Sequence, residues 1–379
     1  MKIGLVLDTS LDPPDGVQQY VVQVGEWLRA HGHDIHYVVG ETKRRDLENI
    51  HSLARNFKVR FNGNRTTIPL PTPRRKLRNF LREQQFDVLH VQTPHSPFFA
   101  QKIIMEADKH TPIVATFHVL PDGWLPVAGN WLLGLWLRPS LKRLDKMLSV
   151  SSAAVKFEQQ TFHVPSDVSP NVFDYDFFDK AKPLKRLDDC MLNILFLGRL
   201  VPRKGCRYLL EAVAQLDRNE VPNFRVVVCG KGPLLPDLKA LVAEKGLQDI
   251  VEFAGFVSEE EKPSYYAAAD IAVFPSTAGE SFGIVLLEAM AAARGPVLGG
   301  NNPGYASVME PFPTQLFNPK EPAVLAARLK HYLNDAATRK ALAEQQKEYV
   351  QRFDVNVVGK QLLKVYTEAN NGTRKRQRN

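Results

Sequence analysis

The sequence predicts an α/β fold with two successive domains, each a doubly wound parallel sheet covered by helices. Short apolar runs alternate with amphipathic helical patterns along the chain, which is typical of repeated βα units. The 379 residues are many for one open sheet but enough for two hydrophobic cores. A polar segment, 179–191, separates two regions that each show this alternation. We therefore expect two domains joined by a linker.

The expected domain boundaries follow from that linker. Residues 1–178 form the predicted N-terminal domain, and residues 192–355 form the predicted C-terminal domain. After them, 356–370 is expected to be a helix that packs back toward the N-terminal domain. The last residues, 371–379, are expected to form a disordered basic tail. No internal repeat is strong enough to change this division.

Each element is predicted from its own pattern. In the first domain, a helix is indicated by apolar residues at i, i+3, i+4 spacing, namely Val17, Tyr20, Val21, Val24 and Leu28. The expected strands of this domain are the apolar runs 3–7, 35–39, 88–91, 113–117 and 147–150. In the second domain, the expected strands are 194–197, 225–229, 251–253 and 271–274, followed by helices around 324–333 and 346–366.

The chain is basic. Lys and Arg number 49 against 41 Asp and Glu, which gives a formal net charge of +8 at pH 7. This balance implies an anionic partner, for which nucleic acid, anionic lipid and a phosphorylated substrate all qualify. Because no recognised nucleic-acid-binding motif is present, we expect no nucleic-acid partner.

Several features indicate a cytoplasmic protein. The three cysteines lack metal-type spacing and suit a reducing compartment. A strand begins almost at the N-terminus, so no signal peptide is expected, and no apolar run approaches the roughly 20 residues needed to span a bilayer.

The first strand-to-helix loop lacks G-x-G-x-x-G, which argues against a dinucleotide-dependent dehydrogenase.

The most informative segment is 279–290, where Glu280 and Glu288 flank a Ser-Phe-Gly turn and an apolar helical run. This turn follows a predicted buried strand, so its N–H groups and the helix N-terminus face outward, ready to hold phosphate. Eight residues separate the two carboxylates, about two helical turns or 12 Å. The spacing suits a nucleotide sugar, with a charged middle and hydroxylated ends. By itself, the spacing is equally compatible with one Glu favouring the helix dipole and a second that is merely solvated.

Further motifs accompany this segment in a fixed order: Gly16-Val17, 86–91, Thr116-Phe117-His118, Val150-Ser151, Pro170-Asn171, 196–199, Arg203-Lys204-Gly205, 230–233 and 253–255. With this set, nearly the whole chain resembles family 4 of the retaining glycosyltransferases. That family has the GT-B fold, in which two Rossmann-like domains face each other across a nucleotide-sugar cleft. Within the family, the chain is most similar to the bacterial phosphatidylinositol α-mannosyltransferases.

The resemblance implies a retaining hexosyltransferase that moves mannose from GDP-mannose to a lipid acceptor such as phosphatidylinositol. Two alternatives remain open: a UDP-sugar-dependent enzyme acting on a soluble or polysaccharide acceptor, and a non-catalytic nucleotide-sugar-binding protein. No cofactor or metal is implied, because two cations would stabilise the departing diphosphate. The triplet Asp174-Tyr175-Asp176 imitates a metal-binding Asp-x-Asp, but it falls where the family has a Pro-Asn-Gly-Val-Asp loop.

The family motifs also assign roles to residues. As catalytic residues they imply Arg199 and Lys204 for the diphosphate, Glu280 for donor hydroxyls and His118 for the donor sugar. For His118, a histidine satisfied inside the core is the alternative. In donor binding, Glu288 would take the ribose hydroxyls and Gly16 would allow the β-phosphate to approach. The other implied donor-binding residues are Gly198, Val257, Lys262, Ser281, Phe282 and Gly283.

The chain departs from the family pattern at three places. Val172 replaces the usual glycine after Asn171, and Asp15 precedes Gly16 where a second glycine is usual. Ala293-Arg294-Gly295 makes the segment after the apolar helix one residue longer and adds a cation near its end. We expect these changes to affect which substrates the protein binds more than the type of reaction.

Two segments favour a membrane-bound acceptor. From Thr72 to Arg82 the pattern predicts a helix with apolar residues on one face and a basic face formed by Arg75, Arg78 and Arg82. Those cations would contact anionic lipid, although a solvated basic face is the alternative. The segment 124–137 contains Trp124, Trp131 and Trp136, which suit a membrane interface, an acceptor groove or core packing. We expect peripheral attachment to the inner face of the cell membrane.

Overall fold

A computed structural model of the chain describes residues 1–12, 15–61, 64–96, 98–120, 134 and 136–378. It contains two compact units. Unit 1 comprises Met1–Val172 and Val355–Asn379, and unit 2 comprises Phe173–Asp354. The chain thus enters unit 2 a few residues before the boundary expected from the sequence.

Unit 1 contains a parallel sheet with strand order β3-β2-β1-β6-β7-β8-β9 in the described residues. Its strands are β1 (Lys2–Leu7), β2 (Asp34–Val39), β3 (Ile50–Ser52), β6 (Val88–Gln92), β7 (Ile113–Phe117), β8 (Lys146–Ser149) and β9 (Asp167–Val168). A separate antiparallel hairpin pairs β4 (Asn56–Phe61) with β5 (Asn64–Pro69). The helices before unit 2 are α1 (Gly16–Ala30), α2 (Arg74–Gln84), α3 (Phe99–Glu106) and α4 (Ser152–Phe162), and residues 136–141 are also helical.

The central strands of unit 1 are apolar on both faces because helices cover both sides of a parallel sheet. The α1 residues Tyr20, Val21, Val24 and Leu28 are buried in its core, as their spacing predicts. The strand order reverses direction between β1 and β6, so the carboxyl ends of these strands flank the usual ligand-binding point of a doubly wound sheet.

Unit 2 contains a second parallel sheet with strand order β12-β11-β10-β13-β14-β15. Its strands are β10 (Leu192–Leu197), β11 (Phe224–Cys229), β12 (Val251–Gly255), β13 (Ile271–Phe274), β14 (Val297–Gly300) and β15 (Leu316–Phe317). Its helices are α5 (Tyr175–Asp179), α6 (Cys206–Val213), α7 (Leu235–Glu244), α8 (Lys262–Ala267), α9 (Ile284–Ala292), α10 (Pro303–Val308), α11 (Pro322–Asn334) and α12 (Ala336–Val350). The direction of strand order reverses between β10 and β13. The predicted α/β class with two parallel sheets is confirmed.

The C-terminal helix, α13 (Val355–Arg378), belongs to unit 1. Its residues Val358, Leu362 and Tyr366 are buried in the unit 1 core, and the Tyr366 hydroxyl lies 2.6 Å from His90 Nδ1. The continuous helix expected over 346–366 is instead interrupted between α12 and α13. The tail that was expected to be disordered is instead helical through Arg378, where α13 ends.

Within the described ranges, no helix combines the length and apolarity needed to cross a bilayer.

Candidate active site

The centre of the candidate site in unit 2 is Glu280, in the loop between β13 and α9. It accepts hydrogen bonds at one oxygen, Oε1, from Arg203 Nη1 at 2.7 Å and Lys204 Nζ at 2.8 Å. The Ser276 hydroxyl donates to the same oxygen at 2.9 Å. Because β10 and β13 are neighbours, the loops after them bring these residues together at the switch point of the sheet.

The Glu280 carboxylate is ionised at neutral pH. Its side chain is 12% exposed, and burial alone would raise its pKa. Lys204 and Arg203 outweigh that effect and hold the pKa below its ordinary value. Within the described residues, its hydrogen bonds all fall on Oε1, so Oε2 remains available to accept from hydroxyl groups. The arrangement can therefore hold a polyol beside two cations.

Two glycines shape these loops. Gly205 has φ +71°, and a Cβ there would lie 1.9 Å from the Pro275 carbonyl oxygen, so the turn that presents Lys204 requires glycine. Gly283, at the start of α9, has φ +113°, and a Cβ there would lie 2.6 Å from the Tyr305 ring. The sharp entry into α9 likewise requires glycine.

The second carboxylate, Glu288, lies inside α9 and is 2% exposed. Lys262 Nζ lies 3.2 Å from its Oε1, and the Tyr266 hydroxyl donates to its Oε2 at 3.1 Å. Lys262 also pairs with Glu259 at 2.6 Å. Burial alone would lower the pKa of Lys262, but the two carboxylates outweigh it and raise the pKa, so the ammonium persists. The fold thus brings Lys262 and Glu288, both predicted donor-binding residues, into one buried ion pair.

The estimate of two helical turns between the carboxylates is corrected, because α9 begins only at Ile284. Glu280 precedes the helix, and the loop sets its position relative to Glu288.

The remaining predicted residues of unit 2 lie in several environments. Gly198 and the half-buried Arg199 follow β10, and the Gly198 N–H donates to the Cys229 carbonyl at 2.9 Å. Val257 is buried after β12. Ser281 is half-buried, whereas the Phe282 ring is buried with an edge-on contact to Phe353. Phe282 therefore contributes packing through its side chain.

In unit 1, His118 follows β7 and is 5% exposed. Its Nε2 lies 2.7 Å from Gln92 Oε1, and its ring contacts Tyr20 edge-on at 5.0 Å. Burial lowers the pKa of His118 to about 3, so the ring is neutral at neutral pH. Its Nδ1 is buried, and the Asn171 side chain lies beside the ring. Both the contact with the donor sugar and the alternative of a histidine satisfied inside the core stay predictions.

Gly16 is the first residue of α1, directly after Asp15 at the N-cap. A Cβ built on Gly16 meets no atom within 4 Å, and its φ is unexceptional. Packing inside unit 1 therefore does not require glycine here. The Asp15 side chain makes no capping hydrogen bond, so this helix N-terminus keeps backbone donors for an anion.

The basic helix α2 buries Leu77 and Leu81, as its pattern predicts. Arg75, Arg78 and Arg82 are all exposed, and Arg78 also forms an ion pair with the Glu106 side chain at 2.6 Å. Of the tryptophans, Trp136 is 64% exposed, whereas Trp124 and Trp131 lie outside the described residues.

The departures from the family pattern have local explanations. Val172 is buried in the core of unit 1. Arg294 pairs with Asp188 near the amino ends of the unit 2 strands, away from Glu280 at their carboxyl ends.

In the Asp174-Tyr175-Asp176 triplet, Asp174 caps α5 by accepting from the Phe177 N–H at 3.0 Å. Among the described residues, no group of three or more His, Cys, Asp or Glu could hold a metal ion.

Comparison with known proteins identifies the family. Residues 14–177 match the family described as Glycosyltransferase Family 4, and residues 179–349 match Glycosyl transferases group 1. A phosphatidyl-myo-inositol mannosyltransferase from Mycolicibacterium smegmatis is 31% identical over 371 residues, which cover 97% of this chain and 93% of the relative. The chain belongs to glycosyltransferase family 4. The predicted family and the predicted enzyme class, a glycosyltransferase, are confirmed.

Other relatives of this glycosyltransferase agree. A phosphatidyl-myo-inositol mannosyltransferase from Propionibacterium freudenreichii is 29% identical, covering 97% of this chain and 95% of the relative. Among solved structures, a glycosyltransferase from Rickettsia africae has a TM-score of 0.75 at 17% identity, covering 97% and 98% of the two chains. WaaG, a glycosyltransferase involved in lipopolysaccharide biosynthesis, has a TM-score of 0.69 at 18% identity, covering 96% and 99%. These likenesses support the predicted GT-B class.

Sequence reasoning missed three groups that contact the predicted residues. Arg203 shares Glu280 with Lys204, Tyr266 binds Glu288, and Gln92 binds His118. Arg203 lies within a recognised motif, so its position signalled a role. Gln92 directly follows the predicted strand 88–91, and no pattern in the sequence paired it with His118.

Proposed function

We propose that this glycosyltransferase moves mannose from GDP-mannose to a phosphatidylinositol-type lipid with retention of configuration. The observation that carries the proposal is the Glu280 carboxylate, which receives its hydrogen bonds from the described residues at one oxygen, bound by Arg203 and Lys204, and has a second oxygen that can accept from hydroxyl groups. Relatives about 30% identical along nearly their whole length are named phosphatidyl-myo-inositol mannosyltransferases, which favours this donor sugar and acceptor.

In the proposed reaction, the bond between the mannose anomeric carbon and the diphosphate oxygen breaks, and its electron pair leaves with the nucleoside diphosphate. An acceptor hydroxyl oxygen bonds to the same face of that carbon, and its proton passes to the departing phosphate oxygen. Arg199 and Lys204 stabilise the charge that grows on the diphosphate. This same-face route needs no carboxylate nucleophile.

The other residues bind the donor. Glu280 orients Lys204 through Oε1 and accepts from mannose hydroxyls through Oε2. Glu288 takes the ribose hydroxyls through Oε1, which accepts from Lys262 among the described residues and retains a lone pair, whereas Oε2 accepts from both Tyr266 and Lys262. The open space around Gly16 lets the β-phosphate approach the N-terminus of α1.

The test is donor profiling of the purified full-length protein by thermal shift and by transfer assay, with GDP- and UDP-sugars. We expect GDP-mannose to raise the melting temperature most, because ligands that bind only the native state stabilise it. Mannose transfer to phosphatidylinositol is then expected in vesicles. A response confined to UDP-sugars would show that the donor is a UDP-sugar. The acceptor would then have to be sought among soluble molecules and polysaccharides as well. Tight donor binding without turnover would support a non-catalytic protein.

The proposal places the protein at the cytoplasmic face of the cell membrane, held by α2. Arg75 and Arg82 project from a helix whose apolar residues Leu77 and Leu81 are buried in unit 1. The helix is therefore anchored on its own unit, with its basic side free for anionic lipid. Each such cation contributes about 1 kcal/mol near a charged leaflet.

Reversing Arg75 and Arg82 to Glu is expected to weaken binding to phosphatidylinositol-containing vesicles at least about tenfold, because two attractive charges become repulsive. Vesicle co-sedimentation measures this effect, and hydrolysis of the donor in solution should not change. The matched control reverses Lys239 and Lys340, two exposed cations of unit 2, and so changes the net charge equally. Equal losses in both variants would indicate non-specific charge attraction, and unchanged sedimentation of the α2 variant would refute the membrane role.

A further inference from the structure

A cleft in unit 1 is not used by the proposed reaction. Its volume is about 370 Å³, within the range of about 300–1,000 Å³ that small-molecule sites occupy. It lies between the C-terminal ends of α2 and α3 and the loops that lead into β6, β7 and β8. These loops meet the amino ends of the strands, whereas His118 and Gly16 lie at the carboxyl ends. The cleft is therefore separate from the contacts proposed for the donor.

The floor of the cleft is apolar. It is formed by Leu81 of α2, Phe86 and the β6 residue Leu89, all of which are buried. Met105 of α3 also lines the cleft and is 42% exposed. Methionine is a flexible apolar side chain that adapts to the shape of a ligand. The cleft therefore offers apolar surface as well as charge.

The rim of the cleft is cationic. Its Lys, Arg, Asp and Glu residues are Arg78, Arg82, Lys109, Arg143, Glu106 and Asp108. Among the described residues, no carboxylate lies within salt-bridge distance of Arg82, Lys109 or Arg143. Cations that line one cleft without such partners concentrate anions there. The rim therefore favours an anionic ligand.

The two carboxylates of the rim do not cancel its charge. The Glu106 side chain is 5% exposed, and Arg74 and Arg78 share it at 3.7 and 2.6 Å. The Asp108 side chain accepts from the His110 N–H at 2.8 Å, in the turn that leads into β7. Four cations thus face two carboxylates, and the cleft keeps an excess of positive charge.

Arg143 is fixed at one side of the cleft. Its guanidinium donates to the Ala107 carbonyl from Nη1 and Nη2, both at 3.1 Å, and to the Asp108 carbonyl at 3.0 Å. These carbonyls follow the last turn of α3, so the cation also offsets the negative end of that helix dipole. Two of its five N–H donors remain for a ligand. A guanidinium held in this way binds phosphate oxygens with little further loss of side-chain entropy.

We propose that this cleft binds the phosphate group of an anionic glycerophospholipid, with the first carbons of an acyl chain on the apolar floor. Arginine and lysine recognise phosphate through charge-assisted hydrogen bonds, and the floor favours a lipid over free phosphate. The inference rests on the proposed function for the membrane that supplies the lipid. It adds one saturable site to the diffuse attraction exerted by the basic side of α2.

The site lies at one end of α2. This helix has 11 residues and is about 16 Å long. Just before it, the Thr72 hydroxyl donates to the carbonyl of Leu53, which follows β3, so α2 begins near the carboxyl ends of the strands. The cleft lies at its C-terminal end. A lipid bound there fixes the direction of α2 on the membrane, with its N-terminal end toward the edge that carries His118.

The test is a titration of the full-length protein with dihexanoylphosphatidic acid below its micellar concentration, followed by NMR of the methionine methyl groups. The chain has six methionines, and the Met105 signal is assigned by its loss in Met105→Leu. We expect a saturable shift of Met105 and no shift of Met290, which is buried in α9 of unit 2. Absence of a saturable Met105 shift would overturn the proposal.

Two further probes identify what the cleft recognises. Dihexanoylphosphatidylcholine has the same acyl chains without net charge, and inorganic phosphate has the charge without the chains. We expect each to bind at least about tenfold more weakly than dihexanoylphosphatidic acid, because one lacks the charge-assisted contacts and the other leaves the floor uncovered. Equal binding of phosphatidylcholine would show that only the floor binds, and equal binding of phosphate would assign the cleft to a soluble anion. Either result would replace the lipid site.

Lys109→Glu tests the charge of the rim. Lys109 is exposed, so the change should leave the fold intact while it turns an attractive contact into a repulsive one. We expect the affinity for dihexanoylphosphatidic acid to fall at least about tenfold. The matched control is Lys156→Glu, which changes the net charge equally at an exposed lysine of α4 outside the cleft. Equal losses in the two variants, or no loss in Lys109→Glu, would contradict the proposal.

These measurements use no sugar donor, so they are independent of the proposed function. If the protein transfers no mannose but dihexanoylphosphatidic acid shifts Met105, the proposed function fails and the lipid site remains. If transfer to phosphatidylinositol occurs but Met105 does not respond, only the inference fails. Hydrolysis of the donor in solution should be the same in Lys109→Glu and in the wild type, because the cleft lies at the other edge of the sheet.

Discussion

Replacing Lys204 by alanine is expected to lower kcat for sugar transfer at least about a hundredfold, which is comparable to losing one preorganised charge-stabilising group. Glu280→Ala should have an effect of the same size, because it removes both the sugar contact and the counter-charge that orients Lys204. Steady-state kinetics with the donor found by profiling measures both. The fold should persist in Lys204→Ala, since Arg203 and Ser276 still bind Glu280.

The geometry adds a sharper expectation for the double variant. Lys204 and Glu280 are in direct contact, so the combined loss should be clearly smaller than the product of the single losses. The matched control is Arg207→Ala, which removes an exposed Arg–Glu pair from α6 and should leave kcat unchanged. Wild-type rates in a folded Lys204→Ala or Glu280→Ala protein would show that this cluster is not the catalytic centre.

Glu288→Ala is expected to affect both stability and donor binding. The change leaves Lys262 buried, with the partly exposed Glu259 as its remaining carboxylate partner among the described residues. Breaking a buried ion pair from one side costs about 3 kcal/mol or more. For a unit of this size, the melting temperature should fall by about 10 °C. Loss of the ribose contact should also weaken donor binding at least about tenfold, as measured by calorimetry.

A double variant separates the two roles of Glu288. Lys262→Met with Glu288→Leu replaces both charges by apolar groups of similar size, which often restores stability. We expect a melting temperature near that of the wild type but donor binding as weak as in Glu288→Ala. Recovery of donor binding together with stability would show that Glu288 is structural and does not contact the ribose.

The sequence predicted the fold class from local patterns. The strands at the centre of each sheet were found because they are buried on both faces and therefore form continuous apolar runs, as in β1 and β13. The strands that were missed are β3, β9, β14, β15 and the hairpin β4–β5. Apart from β14, they lie at sheet edges, next to an edge or outside the two parallel sheets, and they are short or lack an apolar run. The strand β14 is buried, but it has only four residues and two of them are glycines.

The candidate site was predicted only in part, because sequence motifs identify residues in one continuous stretch but not their partners from other stretches. Lys204, Glu280 and Glu288 lie in motifs that are recognisable in a continuous stretch of sequence, and their assignment depends on the family resemblance. Their partners come from elsewhere in the chain: 77 residues separate Arg203 from Glu280, and 26 residues separate both Gln92 from His118 and Lys262 from Glu288.

The sequence by itself therefore determined the two parallel sheets, the family and the enzyme class, because hydrophobic period and contiguous motifs are local properties of the chain. Only the tertiary structure decided that Arg203, Lys204 and Ser276 meet at one oxygen of Glu280, that Arg78 pairs with Glu106, and that Gln92 contacts His118. These properties depend on which strands are neighbours in the sheets and which side chains are buried against each other. The residues concerned are distant in the sequence, so their hydrogen bonds and burial cannot be predicted from the order of residues alone.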